Sequence, residues 1–228
     1  KRMKKEENKK LCVFVENIEY ESPDHFGYDI ILGFKQAAYR DNWSVTVLPL
    51  TSEFQQQEKY DTFMLKNGYS GAFIMALALY DAWIPQLETT NIPTALLDSF
   101  IKKNPNISYI GTDNYEGIDL AVDHLTRLGH SKIAFLNGTL QCLISDERQE
   151  AYCNSMAHHN LPVSDSLIAN SFFDPDSAKN YVATLLDAGA TAIICGSDVI
   201  AYGVLAECQR KGVRVPEDFS VIGFDDLP

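Results

Sequence analysis

The chain has 228 residues, 46% of them hydrophobic and 11% aromatic, with 19 Lys and Arg against 31 Asp and Glu and a net charge of −12. That is enough apolar matter for one large domain or two lobes, and it excludes wholesale disorder. An acidic body does not bind duplex nucleic acid through its bulk, because that needs a basic footprint.

In chain order, residues 1–10 (KRMKKEENKK) come first, with six basic and two acidic groups, which leaves 13 basic against 29 acidic in the remainder. Such a tip reads as a linker or solvated tail, or as a nucleic-acid arm. The apolar run LCVFV then stops at Glu16, too short for a secretory leader, and no stretch approaches the roughly 20 apolar residues of a membrane span. The five cysteines (Cys12, Cys142, Cys153, Cys195 and Cys208) contain no CxxC pair, and free thiols in a reducing, cytoplasmic compartment are expected.

The apolar pattern predicts strands over 11–18, 44–50, 71–79, 94–98, 107–111, 132–137, 167–173, 190–195 and 219–224. Most are apolar on both faces, as in a parallel sheet covered by helices. Helices are predicted between them. Residues 26–41 carry Ile30, Phe34, Ala37 and Ala38 on one stripe. Residues 114–129 carry Ile118, Ala121, Val122, Leu125 and Leu128 and end at Gly129, and 198–212 carry Ala201, Val204, Leu205 and Cys208 and end at Gly212. Further helices are expected at 53–68, 146–160 and 176–189. Alternating strands and helices predict an α/β fold, and nine strands suit two sheets rather than one. The least helical stretch, 98–112, places a boundary near Gly111, with an N-terminal lobe over 11–111 and a C-terminal lobe over 112–228.

No GxGxxG follows a strand, and neither GxxxxGK[ST] nor GxSxG occurs, so dinucleotide, P-loop and nucleophile-elbow chemistry lack their motifs. Of the histidines His25, His124, His130, His158 and His159, the adjacent pair points about 100° apart on a helix and cannot hold one metal. Neither metal nor cofactor is expected. Polar residues fall instead at strand ends: Asn17 and Glu19, Asp98, Asn137, Ser197 and Asp198, Asp225 and Asp226. In open α/β sheets ligands bind outside the strand carboxyl ends. Side chains from many strand ends, without a nucleophile–base pair, suit binding better than catalysis.

Three stretches carry a resemblance: GTDNYEGIDLAVDHLTRLGHSKIAFLNG (111–138), RQEAY (148–152) and GSDVIAYGVLAECQRKGVRVPEDFSVIGFDD (196–226). Together they resemble the effector-binding core of the lactose-repressor/galactose-repressor (LacI/GalR) family of transcriptional regulators. The resemblance implies a periplasmic-binding-protein-like type I fold, with two Rossmann-like lobes, parallel sheets and an inter-lobe cleft. It implies a small-molecule effector (a sugar, sugar phosphate or nucleobase) in that cleft. It also implies a homodimer paired through the helices near 26–41 and 53–68. Operator DNA would be read by a helix-turn-helix domain outside this sequence, with residues 1–10 following the hinge. Family members run on past the equivalent of Pro228, so a C-terminal part of the core is expected to be missing.

The resemblance also implies the site. Arg148 matches the arginine of R-x-x-G-[YFW], with Ala151 in place of the usual glycine, and its fork of donors suits ligand oxygens. Asp225 matches the first aspartate of G-[FY]-D-[DN], an acceptor for ligand hydroxyl or N–H groups. Ser197 and Asp198 match the start of the [NS]-D-x-x-A-x-G helix, where Asp198 reads either as a helix N-cap or as a ligand contact. Phe173 and Phe26 match positions where aromatic rings face the ligand, and each reads equally as a core phenylalanine. Asp98 and Phe100 stand at the crossover, where contacts also occur. A solute-binding protein of a transporter would share this fold. An α/β enzyme would need a metal cluster or nucleophile–base pair, and the motif search finds neither.

Overall fold

The computed structural model describes residues 9–16 and 18–228, so most of the basic tip and Asn17 lie outside the described residues. The chain divides into two compact units, one ending at Gly111 and the other beginning at Thr112.

The first unit holds β1 (Lys10–Val15), α1 (Phe26–Arg40), β2 (Ser44–Pro49), α2 (Ser52–Gln57), α3 (Tyr60–Asn67), β3 (Gly71–Met75), α4 (Ile84–Leu87), β4 (Thr94–Leu97) and β5 (Ile107–Ile110). Its five strands lie in the order β2-β1-β3-β4-β5, all parallel. Successive side chains of β1 point to opposite faces, as the two-residue strand period requires. Cys12 and Phe14 join the cluster of Tyr60, Met64, Trp83 and Leu87, whereas Val13 and Val15 join Ile31, Phe73 and Met75 under α1. That explains why the strand reads as a continuous apolar run.

The second unit holds α5 (Asn114–Arg127), β6 (Ile133–Asn137), α6 (Leu143–His158), β7 (Ile168–Asn170), α7 (Pro175–Asp187), β8 (Ala192–Cys195), α8 (Asp198–Lys211) and β9 (Ser220–Ile222). Four parallel strands lie in the order β7-β6-β8-β9. The same alternation operates on β6. Ala134 and Leu136 face Val182, Leu185, Val204 and Cys208 of α7 and α8, while Ile133 and Phe135 face Ile118, Val122, Tyr152 and Met156 of α5 and α6. Both sheets change direction of winding once, between β1 and β3 in the first unit and between β6 and β8 in the second. That point is where open α/β sheets leave a crevice at the strand carboxyl ends.

Local chemistry sets the helix ends. The Asp113 carboxylate accepts the Glu116 N–H at 3.0 Å, and Asp174 accepts those of Asp176 and Ser177, both at 3.1 Å. Gly212 closes α8 with φ +72, a left-handed turn that costs a side chain dearly.

Three predicted elements differ most from the structure. The helix expected over 53–68 is two helices, because Glu58 is extended: its carbonyl accepts the Trp83 indole N–H at 2.8 Å, and Gln86 Oε1 takes the Tyr60 N–H at 2.8 Å. The strand expected over 71–79 ends at Met75, where Ala76 turns with φ +63. The strand expected over 167–173 is three residues, Ile168–Asn170, followed by Phe172 and Phe173 in left-handed conformation with φ +60 and +54. Of the helix stripes, Ala37, Leu128 and Leu205 are exposed, while Ile31, outside the predicted stripe, is buried. Among the described residues no helix is long and apolar enough to cross a membrane.

Candidate functional site

The second unit gathers polar residues at the winding change between β6 and β8. Arg148 lies on α6, one turn past the helix start, with its side chain 3% exposed. A buried guanidinium must find acceptors for its donors or lose heavily on desolvation. Its Nε donates to Asn114 Oδ1 at 2.8 Å, its Nη1 donates to the Gly196 carbonyl, and its Nη2 lies 3.6 Å from Asp225 Oδ1. The guanidinium plane sits over the Phe224 ring, 3.9 Å from its centroid, where the negative face of the ring attracts the cation.

Neighbouring groups hold that arrangement. Asn114, 1% exposed at the start of α5, donates from Nδ2 to Glu147 Oε2 at 2.7 Å, which fixes its amide so that oxygen faces Arg148. Gly117 is one turn further on. A Cβ there would stand 2.7 Å from the Phe224 ring, so only glycine lets that ring lie against α5. Asp225 has φ +109 and a carboxylate 13% exposed, which leaves it an accessible acceptor.

Ser197, not Asp198, caps α8: its hydroxyl accepts the Ile200 N–H at 3.3 Å. Asp198 is the first helical residue and ties the β9 end instead. Its N–H donates to the Phe224 carbonyl at 2.7 Å, and its Oδ2 accepts the Leu227 N–H at 2.7 Å. An open depression of about 470 Å³ lies there, lined in part by Asp198, Tyr202, Phe224, Asp225 and Asp226.

Phe173 stands one strand further along the same edge. Its ring covers Gly138, where any Cβ would collide with it, and it packs against the α7–α8 cluster. Between them Asn137 donates to the Ser145 carbonyl at 2.9 Å and accepts the Gly138 N–H at 2.9 Å. Arg148, Ser197, Asp198 and Asp225 therefore converge, and Phe173 flanks them on the far side of β6.

The other three candidates belong to the first unit. Phe26 opens α1 and packs on the cluster under that helix. Asp98 follows β4 with φ +56, and its N–H donates to the Ile110 carbonyl at 2.9 Å. Phe100 is 52% exposed and meets Tyr109 edge-to-face, with centroids 6.1 Å apart. Sequence reasoning missed Asn114, Gly117 and Phe224. The signal was present in GTDNYEG, whose asparagine and glycine both address the arginine site.

Residues 122–228 match the periplasmic binding protein-like domain. The HTH-type transcriptional repressor PurR of Actinobacillus pleuropneumoniae is 29% identical over 201 residues, covering 87% of this chain and 60% of the repressor. Among solved structures, the Escherichia coli transcriptional repressor ascG superposes with a TM-score of 0.75 at 25% identity, over 96% of this chain and 79% of that one. A sugar-binding LacI-family regulator from Escherichia coli, solved with phosphate, gives 0.77 at 26% identity over the same shares. The chain is similar in sequence and fold to LacI-family regulators. The chain spans about 60% of the length of the curated relatives it matches. Those relatives are repressors rather than enzymes, and among the described residues no group of three His, Cys, Asp or Glu side chains is placed to hold a metal. In this chain the arginine and the aspartate after β9 meet at the sheet edge where the α/β architecture leaves room for a ligand, and the helix-capping serine starts α8 beside them.

Proposed function

We propose that this chain is the effector-sensing part of a cytoplasmic LacI/GalR-type transcriptional regulator without enzymatic activity of its own. It binds a small molecule, a sugar or sugar derivative in preference. It acts as a homodimer, and occupancy changes the affinity of a separate domain for operator DNA. A ligand does this only if it binds one state of the protein better than the other.

The observation that carries the reading is Arg148. It is a buried guanidinium fixed by Asn114, Gly196 and Asp225 at the winding change of a parallel sheet, with an accessible carboxylate beside it. Such preorganisation lowers the ordering cost of binding. Phe173 supplies an aromatic face on the same edge, and Phe26, Asp98 and Phe100 are the candidate contacts of the first unit. Two solved relatives point the same way: one is a complex of the regulator CelR with cellobiose, the other was solved with phosphate.

A thermal-shift screen against neutral sugars, sugar phosphates and purines tests the reading, since a bound ligand raises the melting point by mass action. A saturable shift with one class, lost in Asp225→Ala, supports it. Turnover of a sugar by the protein would contradict it.

A further inference from the structure

The depression beside Asp225 has polar side chains of one chemical kind. They are the carboxylates of Asp198, Asp225 and Asp226 and the hydroxyl of Tyr202. Ionised carboxylates only accept hydrogen bonds. The Tyr202 hydroxyl donates its proton to the Pro228 carbonyl at 2.9 Å, so what it has left to offer is an acceptor too. Asp198 is held in place: its Oδ2 accepts the Leu227 N–H at 2.7 Å, and its Oδ1 lies over Gly223, where any Cβ would collide with it. The rest of the lining is apolar, with Leu205 and Val221 among it.

Among the described residues no cationic side chain lines the depression. Arg148 is 3% exposed, with Phe224 across its guanidinium plane and Asp225 opposite its charge. The cations at the end of α8 and just after it are paired as well: Arg210 with Glu207 and Arg214 with Asp218, both at 2.6 Å, and Lys211 with Glu207 at 3.8 Å. The charge of Asp198 and Asp226 is therefore left to be met by a ligand.

We propose that this depression takes a ligand that donates hydrogen bonds and carries no anionic group, and that an amine on it is favoured over a hydroxyl: a neutral sugar, better an amino sugar, and not a sugar phosphate. This deepens the binding reading and rests on it. A sugar ring turns its O–H donors to the carboxylates and its C–H face to the leucine and valine. An ammonium adds Coulomb attraction to carboxylates that Arg148 does not offset. A phosphate ester meets the reverse, since like charges brought together cost affinity and the side chains of the lining return no donor for the water it gives up. The net charge of −12 repels anions at longer range, and the first unit offers them no better reception at its own winding change, where Glu16 and Asp81 are buried.

The test is a matched series. Melting points are measured at about pH 7 with glucose, glucosamine and glucose 6-phosphate, and with the same three forms of galactose and of mannose, at equal concentration. In the series that binds, the amine should give the largest shift, the hexose a smaller one and the phosphate ester none. Calorimetry should place the amine severalfold tighter than its hexose, and added salt should narrow that advantage. Asp226→Asn should narrow it too. Asp226 is exposed with φ +59, a conformation asparagine tolerates, so the variant should fold. A phosphate ester that binds more tightly than its parent overturns the proposal and leaves the sensor reading intact, and so does an amine no tighter than its hexose or indifferent to Asp226→Asn. Silence from every sugar also overturns it, and the sensor reading falls with it if purines are silent as well.

Discussion

At the winding change of the second unit the carboxyl edge is filled by a guanidinium, and at that of the first by a pair of acids. Each arrangement satisfies its buried groups by a different route. Arg148 has neutral and anionic partners and an aromatic face, which compensate a guanidinium for its burial. Glu16 takes a hydrogen bond from a glutamine and Asp81 one from a backbone N–H, and burial pushes the Glu16 carboxyl up to about 7. The same place in two similar topologies thus carries a buried guanidinium in one unit and buried carboxyls in the other.

The largest effect that would break this contrast is expected at Arg148. Removing one partner of a buried charged pair costs about 3–5 kcal/mol, because the other is left uncompensated. Arg148→Ala should therefore lower the urea midpoint and abolish effector binding together. Unchanged stability would mean that the contacts to Asn114, Gly196 and Asp225 contribute little. On the other side, Trp83→Ala removes the side chain that joins Phe14, Phe54 and Tyr60 and donates to Glu58. Truncating a buried aromatic costs about 3–5 kcal/mol, and the loss should appear in equilibrium unfolding with no change in the Arg148 site.

Smaller changes sharpen the contrast. Gly117→Ala pushes on the Phe224 ring at 2.7 Å, and overpacking of that kind costs about 1–3 kcal/mol. The expected sign is weaker effector affinity at near-normal secondary structure, read by calorimetry and circular dichroism. Asp113→Ala removes the cap of α5, worth about 1 kcal/mol, and should lower the melting point without touching affinity.

The pH dependence completes the series. Glu16 ionises near 7 when folded but at the ordinary 4.5 when unfolded, so its contribution is fully present below about 4.5 and is lost as pH rises through about 7. The melting point of the wild type should fall across that window, and that of Glu16→Gln should fall less.

How much of this the sequence discloses follows from the range of each interaction. The strands are legible because a parallel strand buried on both faces must be apolar throughout, as FIM in β3 and AII in β8 show. Arg148 and Asp225 are legible because their motifs resemble those of a known family. The break at Glu58 is not, because its cause is a tryptophan 25 residues away. Glu16 and Asp81 are inconspicuous for the same reason: Glu16 in the sequence merely ends an apolar run, and Asp81 lies just past the stretch 71–79 that reads as strand. Nor does the pattern separate Ser197 from Asp198 as the cap of α8, since both residue types are good caps and geometry alone decides.

The central claim is that the Arg148–Asp225 pair is the recognition group of an effector sensor. Titration calorimetry with the compound giving the largest thermal shift, on wild type and on folded Asp225→Ala, tests it most directly. The account predicts a loss of affinity of about 2–5 kcal/mol in the variant, enough to remove measurable binding of a micromolar ligand. Near-wild-type affinity in Asp225→Ala would contradict it.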